Sequence, residues 1–281
     1  MNKLKPTAVD SLLAGMNRER SKSDRLRDYF ANVDLSSGKE LFSELSKICD
    51  WYDEVIENKR HFVNNSIREI LEASNEEHLV IILAAGNYPH SLEILHEYCD
   101  KVNRIIEIDK DGMEEKQELY DRFFPECAEK TKCISADITS KTILDVVSQL
   151  INEYYQKMPC LVLLDNASYF LKIADIQNII SSFKSSNKRN TLILESLRPF
   201  NLVSPERRKI PESIFNSIRT TDRESILTSL NHHTLAGIFN EIEGTLKKSS
   251  DLVKMEKERV GENKLFNSPE EGWLECSVWE I

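Results

Sequence analysis

Apolar residues recur at helical spacing through the first quarter of the chain. After Asn75 they give way to short apolar runs alternating with longer amphipathic segments. In the front section Leu41, Leu45, Ile48, Tyr52 and Val55 share one helical stripe, and Val63, Ile67, Ile70 and Leu71 another, so residues 23–73 read as helices. Ser36-Ser37-Gly38 reads as a turn that caps a helix starting near Lys39. Beyond Asn75 the alternation predicts βαβ units and a parallel sheet, with strands at 79–84, 102–108, 131–135, 160–165 and 190–195. Amphipathic crossovers link them, such as Lys141 to Tyr155 with Ile143, Val146, Val147, Leu150, Ile151 and Tyr154 on one face.

Residues 198–221 are rich in Pro, Asn, Ser and Arg and predict a long loop, so 197–223 is expected to be a lid or substrate loop. A helix is predicted over 222–248. Two strands follow at 252–259 and 273–281, parted by Gly261-Glu262-Asn263 and Asn267-Ser268-Pro269, and predict an antiparallel hairpin at one sheet edge. The expected organisation is a helical cap over 1–74 ahead of an α/β domain over 75–281.

Composition narrows the partners. A chain of 281 residues with net charge −10 lacks the basic face that a phosphate-backbone binder needs, so nucleic acid is not an expected partner. Six scattered cysteines form no Cys-x-x-Cys pair and no metal-ligand spacing, and read as reduced thiols with no metal. The opening Met-Asn-Lys-Leu-Lys-Pro lacks the apolar core of a signal peptide, and no run reaches membrane-spanning length. A cytoplasmic protein without membrane contact is the expectation; the oligomeric state stays open.

Candidate chemistry sits at the strand ends, where open α/β sheets bind ligands. The segment from His78 to Pro89 reads as a buried strand entering a tight turn at Gly86, with small Ala84 and Ala85 letting a ligand near the backbone. A dinucleotide turn wants three glycines and this one has one, which counts against NAD or FAD. A nucleoside without phosphates asks for less. Asp109, with Glu107, suits ribose hydroxyls, Asp137 an exocyclic amine, and Ile138 the face of a base. Any one strand-end acid also serves as a helix cap, but three in register describe a site for S-adenosylmethionine.

The same residues resemble a known family. Leu83-Ala84-Ala85-Gly86-Asn87-Tyr88 is similar to the L-G-A-G-L-D turn of the leucine carboxyl methyltransferase family of class I S-adenosylmethionine-dependent methyltransferases. Glu107-Ile108-Asp109 resembles its E-V-D, Ser135-Ala136-Asp137-Ile138 its G-A-D-L, the block from Leu163 to Leu171 its fourth-strand segment, and Arg60-His61-Phe62 its R-F-F. Ala84, Tyr88 and Asp165 stand where the family has Gly, Asp and Glu. The resemblance covers residues 55–196. It implies a Rossmann-like, seven-stranded, mostly parallel sheet with helices on both faces, an antiparallel C-terminal strand and an N-terminal helical extension.

It also implies that Arg60 holds the methionyl carboxylate, Ala84 and Gly86 line the methionine and ribose, and Asp165 stands by the methionyl ammonium. The implied reaction is O-methylation of a carboxylate on a small molecule or protein C-terminus. Catalysis is then by proximity, because an ionised acceptor needs no base. An alcohol or amine acceptor would want one, and His90, His232 and His233 are the histidines near plausible loops, the adjacent pair being unsuited to chelate one metal. Tyr169 and Arg198 are the candidate substrate contacts, and Arg25, Arg27, Arg207 and Arg208 further cations for an anionic acceptor. The competing readings are a non-catalytic methyltransferase-like binding protein and a nucleotide-dependent oxidoreductase.

Overall fold

The computed structural model describes residues 3–20, 23–154, 158–184, 190–223 and 225–281. Four helices come first: α1 (Ala8–Arg20), α2 (Asp24–Ala31), α3 (Ser36–Ile48) and α4 (Tyr52–Ala73). Alternation then begins with β1 (His78–Leu83), α5 (His90–Tyr98), β2 (Val102–Asp109), α6 (Met113–Phe123), α7 (Pro125–Ala128) and β3 (Thr131–Ser135). It continues through α8 (Lys141–Tyr154), β4 (Cys160–Leu164), α9 (Ile173–Ser182) and β5 (Thr191–Leu197). The chain ends with α10 (Pro205–Asp222), α11 (His232–Glu241), β6 (Thr245–Asp251), α12 (Leu252–Val260) and β7 (Leu274–Glu280).

The strands form one seven-stranded sheet in the order β3-β2-β1-β4-β5-β7-β6, and β7 runs antiparallel to both its neighbours. The five predicted parallel strands are where the apolar runs put them. Successive side chains of a strand point to opposite faces, so each central strand feeds two cores. Val80, Ile82, Leu161, Leu163 and Ile193 pack in one core with Phe30, Leu45, Phe62 and Trp273. Leu79, Ile81, Leu83, Val162 and Leu164 pack in the other with Ile176, Ile179, Ile180 and Phe239.

The C-terminal third departs from expectation. Residues 205–222, read as a lid loop, form α10, because Ile214, Phe215 and Ile218 recur at helical spacing and bury, and Pro205 sits where a missing N–H costs nothing. The helix predicted over 222–248 is α11 followed by β6. The strand predicted at 252–259 is α12, opened by Asp251, whose side chain accepts from the Lys254 N–H at 2.9 Å, and closed by Gly261 at φ 89°. An antiparallel pair does close the edge, but its members are β6 and β7 with α12 between them.

Near the front, α3 starts at Ser36 and Gly38 lies in its first turn. A Cβ on Gly38 would stand 2.2 Å from the Ser11 carbonyl carbon, so the glycine lets α1 and α3 approach backbone to backbone. Tyr155, the end of the predicted crossover helix, lies outside the described residues, as do the side chains of Leu150, Ile151 and Tyr154. All six cysteines are free thiols, five buried and Cys99 exposed. No helix among the described residues is long and apolar enough to cross a membrane.

The turn after β1 is held from below by α6. Lys116 Nζ donates to the Gly86 carbonyl at 2.9 Å and the Tyr88 carbonyl at 2.6 Å, and pairs with Glu107, both side chains being fully buried. Glu107 also accepts from the Ser91 N–H at 3.0 Å and the Tyr120 hydroxyl at 3.3 Å. Burial pushes the Glu107 carboxyl up, but the Lys116 charge, with hydrogen bonds from Lys116 and Ser91, outweighs that and holds it below the usual range. The Lys116→Met variant strands this charge, and urea denaturation should show a loss of about 3–5 kcal/mol. Adding Glu107→Gln should recover part of it, and no recovery would show that the pair's packing, not its charge, carries the stability.

Candidate active site

The sheet order reverses between β1 and β4, and there a cleft of about 410 Å³ opens at the carboxyl ends of β1 to β4. Helices α1, α4, α5 and α10 wall it. Arg60, Ala84, Asp109, Asp137, Ile138 and Asp165 all line it, although they come from five different segments of the chain. Gly86 lies at its edge rather than in its lining.

Ala84 and Gly86 shape the floor, both in the left-handed region at φ 52°. Glycine adopts this freely, whereas for Ala84 it costs about 1–2 kcal/mol. Asp109 ends β2, and its Oδ2 accepts from the Gly86 N–H at 2.9 Å while Oδ1 accepts from the Lys110 N–H at 2.7 Å. Asp137 follows β3, and Oδ1 accepts from both the N–H and the hydroxyl of Thr139 at 2.8 Å, which hold the exposed carboxylate below its usual range. Beside it Ile138 is buried. Glu107, paired with Lys116, is not in the lining; its place under the sheet end removes it as a ribose ligand.

Lys59 of α4, which the sequence reading passed over, is the most buried cation of the cleft. Its Nζ lies 3.1 Å from Asp165 Oδ1 and 3.2 Å from Glu195 Oε2, and Asn166 completes the group through its N–H to Glu195 at 2.8 Å. Burial pulls Lys59 down, but the two acids outweigh it and keep it protonated. Asp165 is held low by Lys59 against burial, while Glu195, buried deeper and facing Asp165, is pushed up. Next to it on α4, Arg60 pairs with Glu93 and stands 3.8 Å from Glu57. Its Nε and the Tyr88 hydroxyl are buried without a hydrogen bond of normal geometry.

Asp10 of α1 also faces the cleft, over Gly86. The Asn87 N–H reaches its Oδ2 at 3.3 Å. Burial, with the Asp109 carboxylate beside it, raises Asp10 to about 6. The start of α1 is fixed from α10: Asp222 accepts from the N–H groups of Ala8 and Val9 at 3.0 and 2.9 Å. Nothing local in the sequence marks Asp10, because its carboxylate meets Gly86, Asn87 and Asp109, all far along the chain.

Neither expected substrate contact lines the cleft. Tyr169 is buried behind it, 5.2 Å from the Phe215 ring, and its neighbours Phe170 and Leu171 reach the cleft instead. Arg198 is bound to the Pro269 carbonyl and stands 3.7 Å from Glu275. Arg207 stacks 5.0 Å over Trp51, Arg208 donates to the Asn201 and Val203 carbonyls at 3.2 Å, Arg25 faces Glu126 and Arg27 pairs with Asp24. His232 and His233 open α11 away from the cleft, whereas His90 lines it, kept neutral by burial and then by Lys116.

This sheet order, with an antiparallel β7 and a cleft at the switch point, is the class I methyltransferase fold. Two solved structures share it over nearly the whole chain. A candidate methyltransferase from Thermobifida fusca YX is 14% identical and aligns over 98% of this chain and 95% of its own, with a TM-score of 0.63. A DUF574 family protein from Streptomyces avermitilis MA-4680 is 12% identical over 94% of this chain and 99% of its own, with a TM-score of 0.59. No protein-family model and no curated protein matches the chain.

Two stability measurements check the geometry. Ala84→Gly relieves the left-handed backbone at the expense of a freer unfolded chain, and should stabilise by about 0.5–1 kcal/mol. Asp10 has a higher affinity for its proton folded than unfolded, so its buried charge costs stability above pH 6 and the cost fades as pH falls towards 4. Asp10→Asn should therefore stabilise the protein by about 1–2 kcal/mol at pH 7.5 and by almost nothing near pH 4. Equal effects at both pH values would show that the buried charge is not the cause.

Proposed function

We propose that the protein is an S-adenosylmethionine-dependent methyltransferase that binds its cofactor in this cleft. The observation that carries the reading is the convergence of Arg60, Ala84, Asp109, Asp137, Ile138 and Asp165 on one cavity at the switch point. The cleft's polar atoms fit a zwitterion: Arg60 Nε, buried without a hydrogen-bond partner, offers a donor to a carboxylate, and the Asp165 carboxylate, beside Lys59, an acceptor to an ammonium. Asp109 and Asp137 supply acceptors for hydroxyl and amine hydrogens, and Ile138 an apolar face for a base. The cofactor supplies an electrophilic methyl group on a sulfonium when bound. The chain's contribution is alignment and exclusion of water by α1 and α10, which suffices for an in-line displacement.

The acceptor is the finer question. A carboxylate acceptor, which the family resemblance implies, needs cations near the methyl group. Seven carboxylate side chains line the cleft against Lys59, Arg60 and Lys110, and the first two are already paired with acids. Leu13, Ile56, Phe170, Leu171 and Ile218 add apolar walls. This surrounding favours a neutral or cationic acceptor over an anionic one, with neutral His90 in the lining able to take a proton.

Calorimetric titration tests the reading. S-adenosylmethionine should bind and NAD should not. Asp109→Ala and Asp137→Ala should each weaken binding about tenfold or more while leaving the fold intact by circular dichroism. Binding of NAD alone would promote an oxidoreductase, and parent-like affinity in both variants would overturn the site. Turnover with amine, hydroxyl and carboxylate acceptor panels, read by mass spectrometry, then separates an enzyme from a binding protein.

A further inference from the structure

The acids of the cleft are not equivalent. Asp137 is tied to Thr139, Glu93 to Arg60, Asp222 to the start of α1 and Asp165 to Lys59. Asp10 has no ion pair among the described residues, and one N–H, that of Asn87 at 3.3 Å, is the only hydrogen donor the described residues give it. Its Oδ1 is aimed at Gly86: a Cβ there would stand 2.5 Å away. The same glycine donates its N–H to Asp109 at 2.9 Å.

Two carboxylates, one from α1 and one from the end of β2, thus meet at one glycine at the edge of a nucleoside-sized cleft. Resting on the cofactor reading above, we infer that Asp10 is a second acid for the ribose diol of the adenosine ligand, carried onto it by α1. A vicinal diol presents two O–H donors that diverge. Asp109 already spends an acceptor site of each oxygen on main-chain N–H groups, whereas Asp10 Oδ1 spends none. A half-buried carboxylate beside another is unfavourable, and hydroxyl hydrogens are what offsets it. Position is secured from α10, since Asp222 holds the Ala8 and Val9 N–H groups and Asp10 lies in the first turn that follows. The ionisable groups that face Asp10 are Asp109 of β2, Lys116 of α6 and Asp222 of α10.

Calorimetric titration of the parent and of Asp10→Asn with adenosine, 2′,3′-dideoxyadenosine and S-adenosylhomocysteine tests this at pH 7.5 and pH 5. Asp10→Asn should lose about tenfold or more in affinity for adenosine and S-adenosylhomocysteine and nothing for the dideoxy compound. The parent should bind adenosine more weakly at pH 5, where Asp10 is protonated and loses acceptor capacity, and the variant should show less of this loss. Amide exchange should report added protection over residues 8–16 when adenosine binds the parent, and less in the variant. A parent that binds neither adenosine nor S-adenosylhomocysteine overturns both proposals. A parent that binds, with a variant that binds equally or loses both nucleosides alike, overturns this one alone.

Discussion

Lys116 and Glu107 bury opposite charges between α6 and β2, and the turn that floors the cleft hangs from them. The lysine's remaining hydrogens go to the Gly86 and Tyr88 carbonyls, which would otherwise be main-chain acceptors stranded under a ligand site. The carboxylate reaches the other way, to Ser91 at the start of α5. One ion pair therefore sets the exit of β1, the entry of α5 and the distance between Gly86 and Asp109. A buried pair adds little net stability over apolar packing, so its value here is positional.

The second buried group, Lys59 with Asp165 and Glu195, acts on the opposite end of the cleft. Between these anchors the lining is mostly acid and aliphatic. Such a cavity is electrostatically one-sided: acids outnumber cations in its lining, and Asp10 has no ion pair among the described residues. An electropositive ligand, or one rich in hydroxyl donors, would complete it, as active sites commonly trade folding stability for binding. The strain at Ala84 belongs to the same trade, since the floor keeps a glycine-like backbone without a glycine.

The legible part of the chain was the part governed by local periodicity. β1 and β4 are uninterrupted apolar runs, and the ends of β2, β3 and β4 fix where Asp109, Asp137 and Asp165 must stand, so six of the seven expected cofactor residues lie on one cavity. The C-terminal third misled because composition hid periodicity. The polar run Thr245-Leu246-Lys247-Lys248-Ser249-Ser250-Asp251 makes an edge strand, where lysines suit the exposed side. Asp251 and Gly261 did mark α12, as cap and stop, and Ile214, Phe215 and Ile218 marked α10 beneath its Arg and Ser. Tyr169 and Arg198 could not be placed by position alone, because a residue just past a strand can turn towards the ligand or behind it. Asp10 was beyond reach for a different reason: its role depends on α1 meeting a turn far along the chain.

The sheet is completed out of chain order. β6 is made before β7, yet it has no strand to pair with until β7 lies down between it and β5. On a ribosome this leaves Leu192 and Leu194 of β5 at an open, apolar margin while α11, β6 and α12 emerge, and only the last strand seals it. During synthesis that margin is a template for other nascent chains, so the interval between making β5 and making β7 is when this protein would most need a chaperone.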